Sequence, residues 1–158
     1  MTLNISFAQT TDAPVIHDLM IQAFMAYQNE TPPSSALEET VQSISEALEN
    51  GEQALIGYLA DEPVAMVRFR VESDSLYFYR LAVIPNKQGQ GIAKRLLKSL
   101  EMYALEQGKP AIQCKVRMTL PKNIALYQSI GYKVSDEETV YKPNGLTVPV
   151  ITMTKQLA

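Results

Sequence analysis

Apolar and polar residues alternate along Leu3-Asn4-Ile5-Ser6-Phe7-Ala8, the period of a strand with one buried face. The pattern then changes to helical spacing. Val15, Leu19, Phe24 and Tyr27, with Ile16, Met20 and Ala23 beside them, form one apolar side, behind a cap at Thr11 or Asp12 and with Pro14 in the first turn. Thr31-Pro32-Pro33 predicts the end of this helix. Ser35-Ala36-Leu37-Glu38 reads as a capping box that opens a second helix to about Glu49, closed by Asn50-Gly51. Two apolar runs at 54–60 and 64–71, joined through Asp61-Glu62-Pro63, predict an antiparallel hairpin.

The aromatic and branched run from Tyr77 to Ile84 predicts a strand that Pro85 closes, because proline cannot donate to a ladder. From Gly91 to Gln107, Ile92, Leu96, Leu100 and Ala104 recur every four residues with Ala93, Leu97 and Tyr103 beside them. Lys94, Arg95, Lys98 and Glu101 fall on the other side, and Gly108 supplies a left-handed stop. Residues 111–117 alternate again and should run parallel to the 77–84 strand through a right-handed crossover. A short helix ending near Gly131 comes next. Residues 132–134 and 148–153, around a turn at Lys142-Pro143-Asn144-Gly145, predict a closing hairpin in which Pro149 marks an edge or bulge. This order of elements argues an α/β fold with a mixed sheet, in a single domain over residues 1–158.

Composition narrows the function. With 158 residues, 46% hydrophobic and 20% charged, the chain is ordinary for a globular protein. No apolar run approaches the roughly 20 residues that span a bilayer, and Met1-Thr2-Leu3-Asn4 lacks the basic start and apolar core of a signal peptide. One cysteine excludes an internal disulfide and, with no signal peptide, predicts a cytoplasmic protein without a membrane partner. A net charge of −3 argues against a nucleic-acid partner. A polyanionic ligand would therefore need positive charge gathered locally, as Lys87, Lys94 and Arg95 gather it.

Those three cations surround Gly89-Gln90-Gly91. A helix opening in Gly-Gln-Gly presents unpaired amides at its positive end, with no glycine side chain to hold a ligand away, and such an end suits phosphate. A Walker-type loop fails, since Ile92 follows Gly91 where Lys-Ser/Thr is needed. A dinucleotide fingerprint wants glycine at Lys94 and an acid closing the next strand, and residues 111–117 offer none. A pyrophosphate loop of the acetyl-coenzyme A type remains.

Gln88-Gly89-Gln90-Gly91-Ile92-Ala93 resembles the Gln/Arg-x-x-Gly-x-Gly/Ala loop of the GNAT superfamily of N-acetyltransferases at Gln88, Gly91 and Ala93. Arg80-Leu81-Ala82-Val83-Ile84-Pro85 is similar to that family's bulged fourth strand. Asn123-Ile124-Ala125-Leu126-Tyr127-Gln128-Ser129-Ile130-Gly131-Tyr132 resembles its Asn-x-x-Leu-Tyr-x-x-x-Gly-Phe/Tyr helix and turn. The likeness covers most of the chain and is weakest over residues 28–52.

The resemblance implies a mixed, mostly antiparallel sheet of about six to seven strands with helices on both faces. It also implies an acetyl-CoA dependent N-acetyltransferase acting directly on a primary amine of a small molecule or peptide. Gln88, Gly89, Gln90, Gly91, Ile92, Ala93 and Lys94 would hold the pyrophosphate, while Leu81, Ala82 and Val83 would offer backbone amides to the pantetheine arm and the thioester oxygen. Tyr127 would protonate the departing thiolate, a role within reach of a phenol of pKa about 10. Asn123 matches the family's pantetheine-holding amide, at a shorter spacing from the tyrosine than many relatives have, and a helix cap is its structural alternative. Tyr27, Glu30 and Tyr79 are the candidate acceptor contacts, and Glu30, Glu38 and Glu39 would favour a cationic amine. No acid lies in 77–83, which leaves Glu72 through water, or Tyr79, as the general base.

Cys114 is in phase with Ile112 and Val116 and reads as core, not as an acyl-carrying nucleophile. His17, the sole histidine, has no partner at ligand spacing, so no metal is expected. A homodimer through the closing strands is compatible with the pattern. The alternative function is a non-catalytic acyl-CoA-binding regulator or sensor that kept the loop and lost the base. A nucleoside-triphosphate enzyme would need the Walker lysine and an acidic metal pair.

Overall fold

The computed structural model describes residues 2–25 and 35–158. Tyr27, Glu30 and the expected helix end at Thr31-Pro32-Pro33 lie outside the described residues. Among these residues the elements are β1 (Leu3–Phe7), α1 (Ala13–Phe24), α2 (Val41–Glu49), β2 (Gln53–Leu59), β3 (Glu62–Val71), β4 (Leu76–Val83), α3 (Ile92–Glu106), β5 (Ala111–Arg117), α4 (Pro121–Ser129), β6 (Lys133–Tyr141) and β7 (Thr147–Gln156). The strands form one seven-stranded sheet in the order β1-β2-β3-β4-β5-β7-β6. β4 and β5 pair parallel, whereas β1–β2, β2–β3, β5–β7 and β7–β6 pair antiparallel. The α/β class, the mixed sheet and the parallel crossover agree with the sequence reading.

Contacts gather the chain into two compact units: Met1–Arg70 with Phe78–Leu100, and Val71–Tyr77 with Glu101–Ala158. In the first, β3 is an inner strand and residues 64–69 are buried on both faces. The β2–β3 turn falls at Ala60 and Asp61, with φ of 49° and 67°. Two left-handed residues in a two-residue loop match the twist of a hairpin, so the turn comes one residue earlier than expected and Pro63 joins the start of β3 opposite Tyr58. α1 buries Ala13, Ile16, Leu19, Met20 and Ala23.

The second helix starts later than its capping pattern suggests. Ser35–Glu38 forms a 3-10 turn, and α2 begins after Thr40, whose side chain accepts from the Ser43 amide at 3.0 Å while Ser43 Oγ accepts from the Thr40 amide at 2.9 Å. Glu39, between the turn and this cap, pairs through its carboxylate with Arg68 and Arg80 of the sheet.

In the second unit, β7 lies between β5 and β6. Pro149 sits one residue beyond the last β5 pair, Arg117 with Val150, and its carbonyl accepts from the Met118 amide. The missing N–H therefore falls where the β5 ladder has ended. Glu101, read as part of the polar side of α3, is instead buried at 6% exposure. Its oxygens accept from the Tyr132 hydroxyl at 3.1 Å and from Lys155 Nζ at 2.9 Å, which compensates the burial of its charge.

Candidate active site

β4 ends at Val83, a 3-10 turn spans Pro85–Lys87, and α3 starts at Ile92. The loop between them is tied down from both ends. The Ile84 amide donates to the Val64 carbonyl at 3.0 Å, and Gln88 Nε2 reaches back to the Val83 carbonyl at 3.0 Å. Gly89 and Gly91 take φ of 79° and 81°, and a Cβ built on either would meet nothing within 4 Å. Their left-handed backbone disfavours a side chain, and the space before them is open. The Arg95 amide donates to the Gly91 carbonyl at 3.1 Å, so the amides of Ile92, Ala93 and Lys94 precede the first full helical turn and point out of the helix end. With Lys87, Lys94 and Arg95 alongside, this terminus has the donor set and the sign of potential that a pyrophosphate requires.

The strand leading into the loop is irregular at Arg80, whose φ is 57°. A left-handed non-glycine residue inside a strand costs about 1–2 kcal/mol and is kept only where its surroundings hold it. The holding groups are identifiable. Arg80 Nε donates to Glu39 Oε2 at 2.9 Å and Nη2 to Ser35 Oγ at 3.1 Å. Successive side chains of a regular strand point to opposite faces, yet the Arg80 guanidinium lies 5.5 Å from the ring centroid of its neighbour Tyr79. The irregularity has turned Arg80 to the side that Tyr79 occupies, immediately before Leu81, Ala82 and Val83.

That side carries a network absent from the sequence reading. Arg68, 1% exposed, donates through Nε to Glu52 at 2.6 Å and through Nη1 to Glu39 at 2.8 Å. Tyr79 donates its hydroxyl to the other Glu52 oxygen, and His17 Nε2 donates to the Glu39 carbonyl at 3.0 Å. Burial works against the Arg68 charge, but the hydrogen bonds to Glu39 and Glu52 outweigh it and hold its pKa above the usual guanidinium value. Burial, followed by the bond to Glu52, pushes the Tyr79 phenol well above 10 despite the opposing pull of Arg68. Tyr79 is therefore a protonated donor at neutral pH and not a base. The trace of this network in the sequence is an arginine pair, Arg68 and Arg70, at strand spacing inside the apolar run 64–71.

The second unit holds the other candidates. Tyr127, in α4, is 8% exposed, and its ring centroid lies 5.8 Å from that of Tyr132. Burial, then Glu101, raises the Tyr132 phenol far above its ordinary value. Asn123 is the third residue of α4, behind an N-cap at Leu120, so the helix-cap alternative does not hold. Cys114 is buried at 2% exposure, and burial pushes its thiol up to about 12. Glu72 is exposed, and its amide donates to the Ser75 carbonyl at 2.8 Å. Among the described residues, no group of three or more His, Cys, Asp or Glu is placed to hold a metal ion, and no helix is long and apolar enough to cross a membrane.

Solved structures share this architecture. The ribosomal-protein-S18-alanine N-acetyltransferase of Escherichia coli superimposes with a TM-score of 0.80 at 20% identity, over 99% of this chain and 95% of that one. The PaiA N-acetyltransferase of Thermoplasma acidophilum, in complex with coenzyme A, gives 0.79 at 14% identity over 99% of each chain. YncA of Salmonella typhimurium, solved with its cofactor acetyl-CoA, gives 0.78 at 19% identity over 100% and 95%. At these identities the likeness is one of fold. The sequence itself matches the acetyltransferase (GNAT) family over residues 16–132, most of its length and both motifs, and the chain is thus a member of that family.

Proposed function

We propose that this protein is an acetyl-CoA dependent N-acetyltransferase that transfers the acetyl group directly to a primary amine of a small molecule or peptide. The observation that carries the reading is the open cradle of Gly89 and Gly91 at the start of α3, directly after a strand broken at Arg80. Acetyl-CoA, when bound, supplies an acetyl thioester whose C–S bond breaks as the amine nitrogen forms the new C–N bond.

The chain's own groups bind, orient and donate. The 88–94 loop holds the pyrophosphate through helix-end amides and Lys94. The backbone amides of Leu81 to Val83 are assigned to the pantetheine arm and to the oxygen that gains negative charge, where such donors lower the barrier most. Asn123 is assigned to the pantetheine arm, and the Tyr127 hydroxyl donates a proton to the departing sulfur and is reprotonated, through solvent, by the proton that the acylated nitrogen releases. Tyr27, Glu30 and Tyr79 remain the acceptor-side candidates, with the Tyr79 hydroxyl spoken for by Glu52. Both oxygens of Glu39 and of Glu52 already accept from Arg68, Arg80 or Tyr79, so neither carboxylate is assigned as base, and the amine reacts as the free base that its solution equilibrium supplies. The reading includes a cytoplasmic location, in keeping with a single buried cysteine.

Calorimetric titration with acetyl-CoA tests the reading, beside a Gly91→Glu variant that puts a side chain and a negative charge into the cradle. Binding in the micromolar range by the native chain, lost in a variant that stays folded, is expected. Absence of binding by the folded native chain overturns it. Binding without thiol release across an amine panel would favour an acyl-CoA-binding regulator instead.

A further inference from the structure

We infer that Glu39 is a positioning residue for acyl transfer: by holding Arg80 in its left-handed conformation, it fixes the direction of the backbone amides of Leu81 to Val83 that are assigned to the thioester oxygen. The inference rests on the acetyltransferase reading above and deepens it, because it makes the segment before α2 part of what sets the rate.

Conformation is the first ground. Among the described residues, Ala60, Asp61 and Arg80 are the non-glycine residues at positive φ. Ala60 and Asp61 form the two-residue turn between β2 and β3, a turn that requires such angles. Arg80 lies inside β4, where no turn demands its φ of 57°. Left to itself, an L residue disfavours that conformation by about tenfold. Something outside the local backbone must therefore select it.

Selection is the second. Arg80 Nε donates to Glu39 Oε2 at 2.9 Å and Nη2 to Ser35 Oγ at 3.1 Å. In a regular strand residues 79 and 80 would face opposite ways. An extended Arg80 would thus carry its guanidinium off the side of Tyr79, where it now lies 5.5 Å from the ring centroid, and both bonds would be lost. The bonds and the left-handed backbone stand or fall together, so the bonds favour that backbone. Glu39 is a firm anchor for them. Its second carboxylate oxygen accepts from Arg68 Nη1 at 2.8 Å, its carbonyl accepts from His17 Nε2 at 3.0 Å, and its amide donates to the Ala36 carbonyl at 3.3 Å. With an arginine on each oxygen, Glu39 holds β4 and does not, as its charge alone suggested, attract a cationic amine.

Consequence is the third. The two torsions of a residue set the direction of the peptide plane that follows it, so those of Arg80 aim the Leu81 amide. An oxyanion donor acts only when it points at the oxygen that gains charge, and losing one donor costs about 100-fold in kcat. The rate should therefore follow the fraction of molecules in which Arg80 is left-handed. The 88–94 loop is tied down separately, by the Ile84 amide on the Val64 carbonyl and by Gln88 on the Val83 carbonyl. Loss of the hold on Arg80 should accordingly lower the rate more than the affinity for acetyl-CoA.

The test compares Arg80→Ala with Arg80→Gly, because glycine adopts the left-handed conformation as readily as the extended one and needs no side chain to hold it. Both variants leave Arg68 its two carboxylates. The first readout needs no acceptor: difference infrared spectroscopy of acetyl-CoA labelled with heavy carbon at the thioester carbonyl, bound to each protein. Relative to the native complex, the carbonyl stretch should rise in Arg80→Ala, as its hydrogen bond is lost, and should stay near the native position in Arg80→Gly. With the fastest amine of the panel, kcat should fall about tenfold in Arg80→Ala and stay within about threefold of native in Arg80→Gly. Glu39→Ala should also lower kcat about tenfold in the native background. In the Arg80→Gly background the same substitution should add little, a non-additivity that general damage does not produce. An unmoved stretch in Arg80→Ala, an Arg80→Gly variant as slow as Arg80→Ala, or a Glu39→Ala effect of equal size in both backgrounds overturns the inference and leaves the acetyltransferase reading standing. Absence of acetyl-CoA binding by the native chain in calorimetry overturns both.

Discussion

Arg68 donates through Nε to Glu52 at 2.6 Å with both side chains almost entirely removed from water, at 1% and 5% exposure. Replacing one partner of such a pair leaves a buried charge short of its counterion, which costs about 3 kcal/mol or more. Glu52→Ala should destabilise by that amount in urea unfolding, and Arg68→Met with Glu52→Gln should recover part of it. A Glu52→Ala protein as stable as the native chain would show that Glu39 alone compensates Arg68.

Tyr127→Phe removes one oxygen and keeps the ring that packs near Tyr132. If the hydroxyl protonates the departing sulfur, kcat should fall by about 100-fold, while calorimetric affinity for acetyl-CoA stays within about twofold. An unchanged kcat would assign Tyr127 to packing.

Tyr79 is held protonated, and both oxygens of Glu39 and of Glu52 already accept hydrogen bonds, so none of the three is assigned as the base. kcat/KM should therefore rise with pH along the titration of the substrate amine, and should shift when an amine of different basicity is used. An ascending limb fixed near pH 6–7 for all amines would reveal a protein base instead.

The Cys114 thiol is raised from 9.0 to about 12 by burial. Its folded value exceeds its unfolded one, so its contribution to stability is complete below pH 9 and declines as pH climbs to about 12, because the unfolded chain releases its proton first. The loss approaches a few kcal/mol. Urea midpoints should drop between pH 9 and 11, and less so in Cys114→Ala measured against its own value at pH 8. A thiol-reactive dye at pH 8 should label Cys114 only when denaturant is added.

Local chemistry made much of this protein readable from sequence. Glycines that must turn left at 89 and 91, a proline that ends β4, the four-residue apolar spacing of α3 and the alternation in β5 each act within a few residues, and the structure has them where the pattern puts them. One error arose where a distant partner outweighed the local rule. Glu101 falls on the polar side of its helix, yet is buried because Tyr132 and Lys155, far along the chain, satisfy its oxygens. At Ser35–Glu38, by contrast, the difference is local: that capping pattern opens only a 3-10 turn, and the helix starts at Val41 behind the Thr40–Ser43 capping pair.

The sequence by itself determined the loop, the helix end and the family, because phosphate recognition by backbone amides depends on a short contiguous run. Only the tertiary structure decided that β7 lies between β5 and β6, that Arg80 turns to the side of Tyr79, and that Arg68, Glu39, Glu52 and Tyr79 share one buried network. Ion pairs between residues 16 to 41 positions apart leave no periodic trace. They arise when the folded sheet and the turn before α2 bring their charges out of water together, and burial then makes each pairing obligatory.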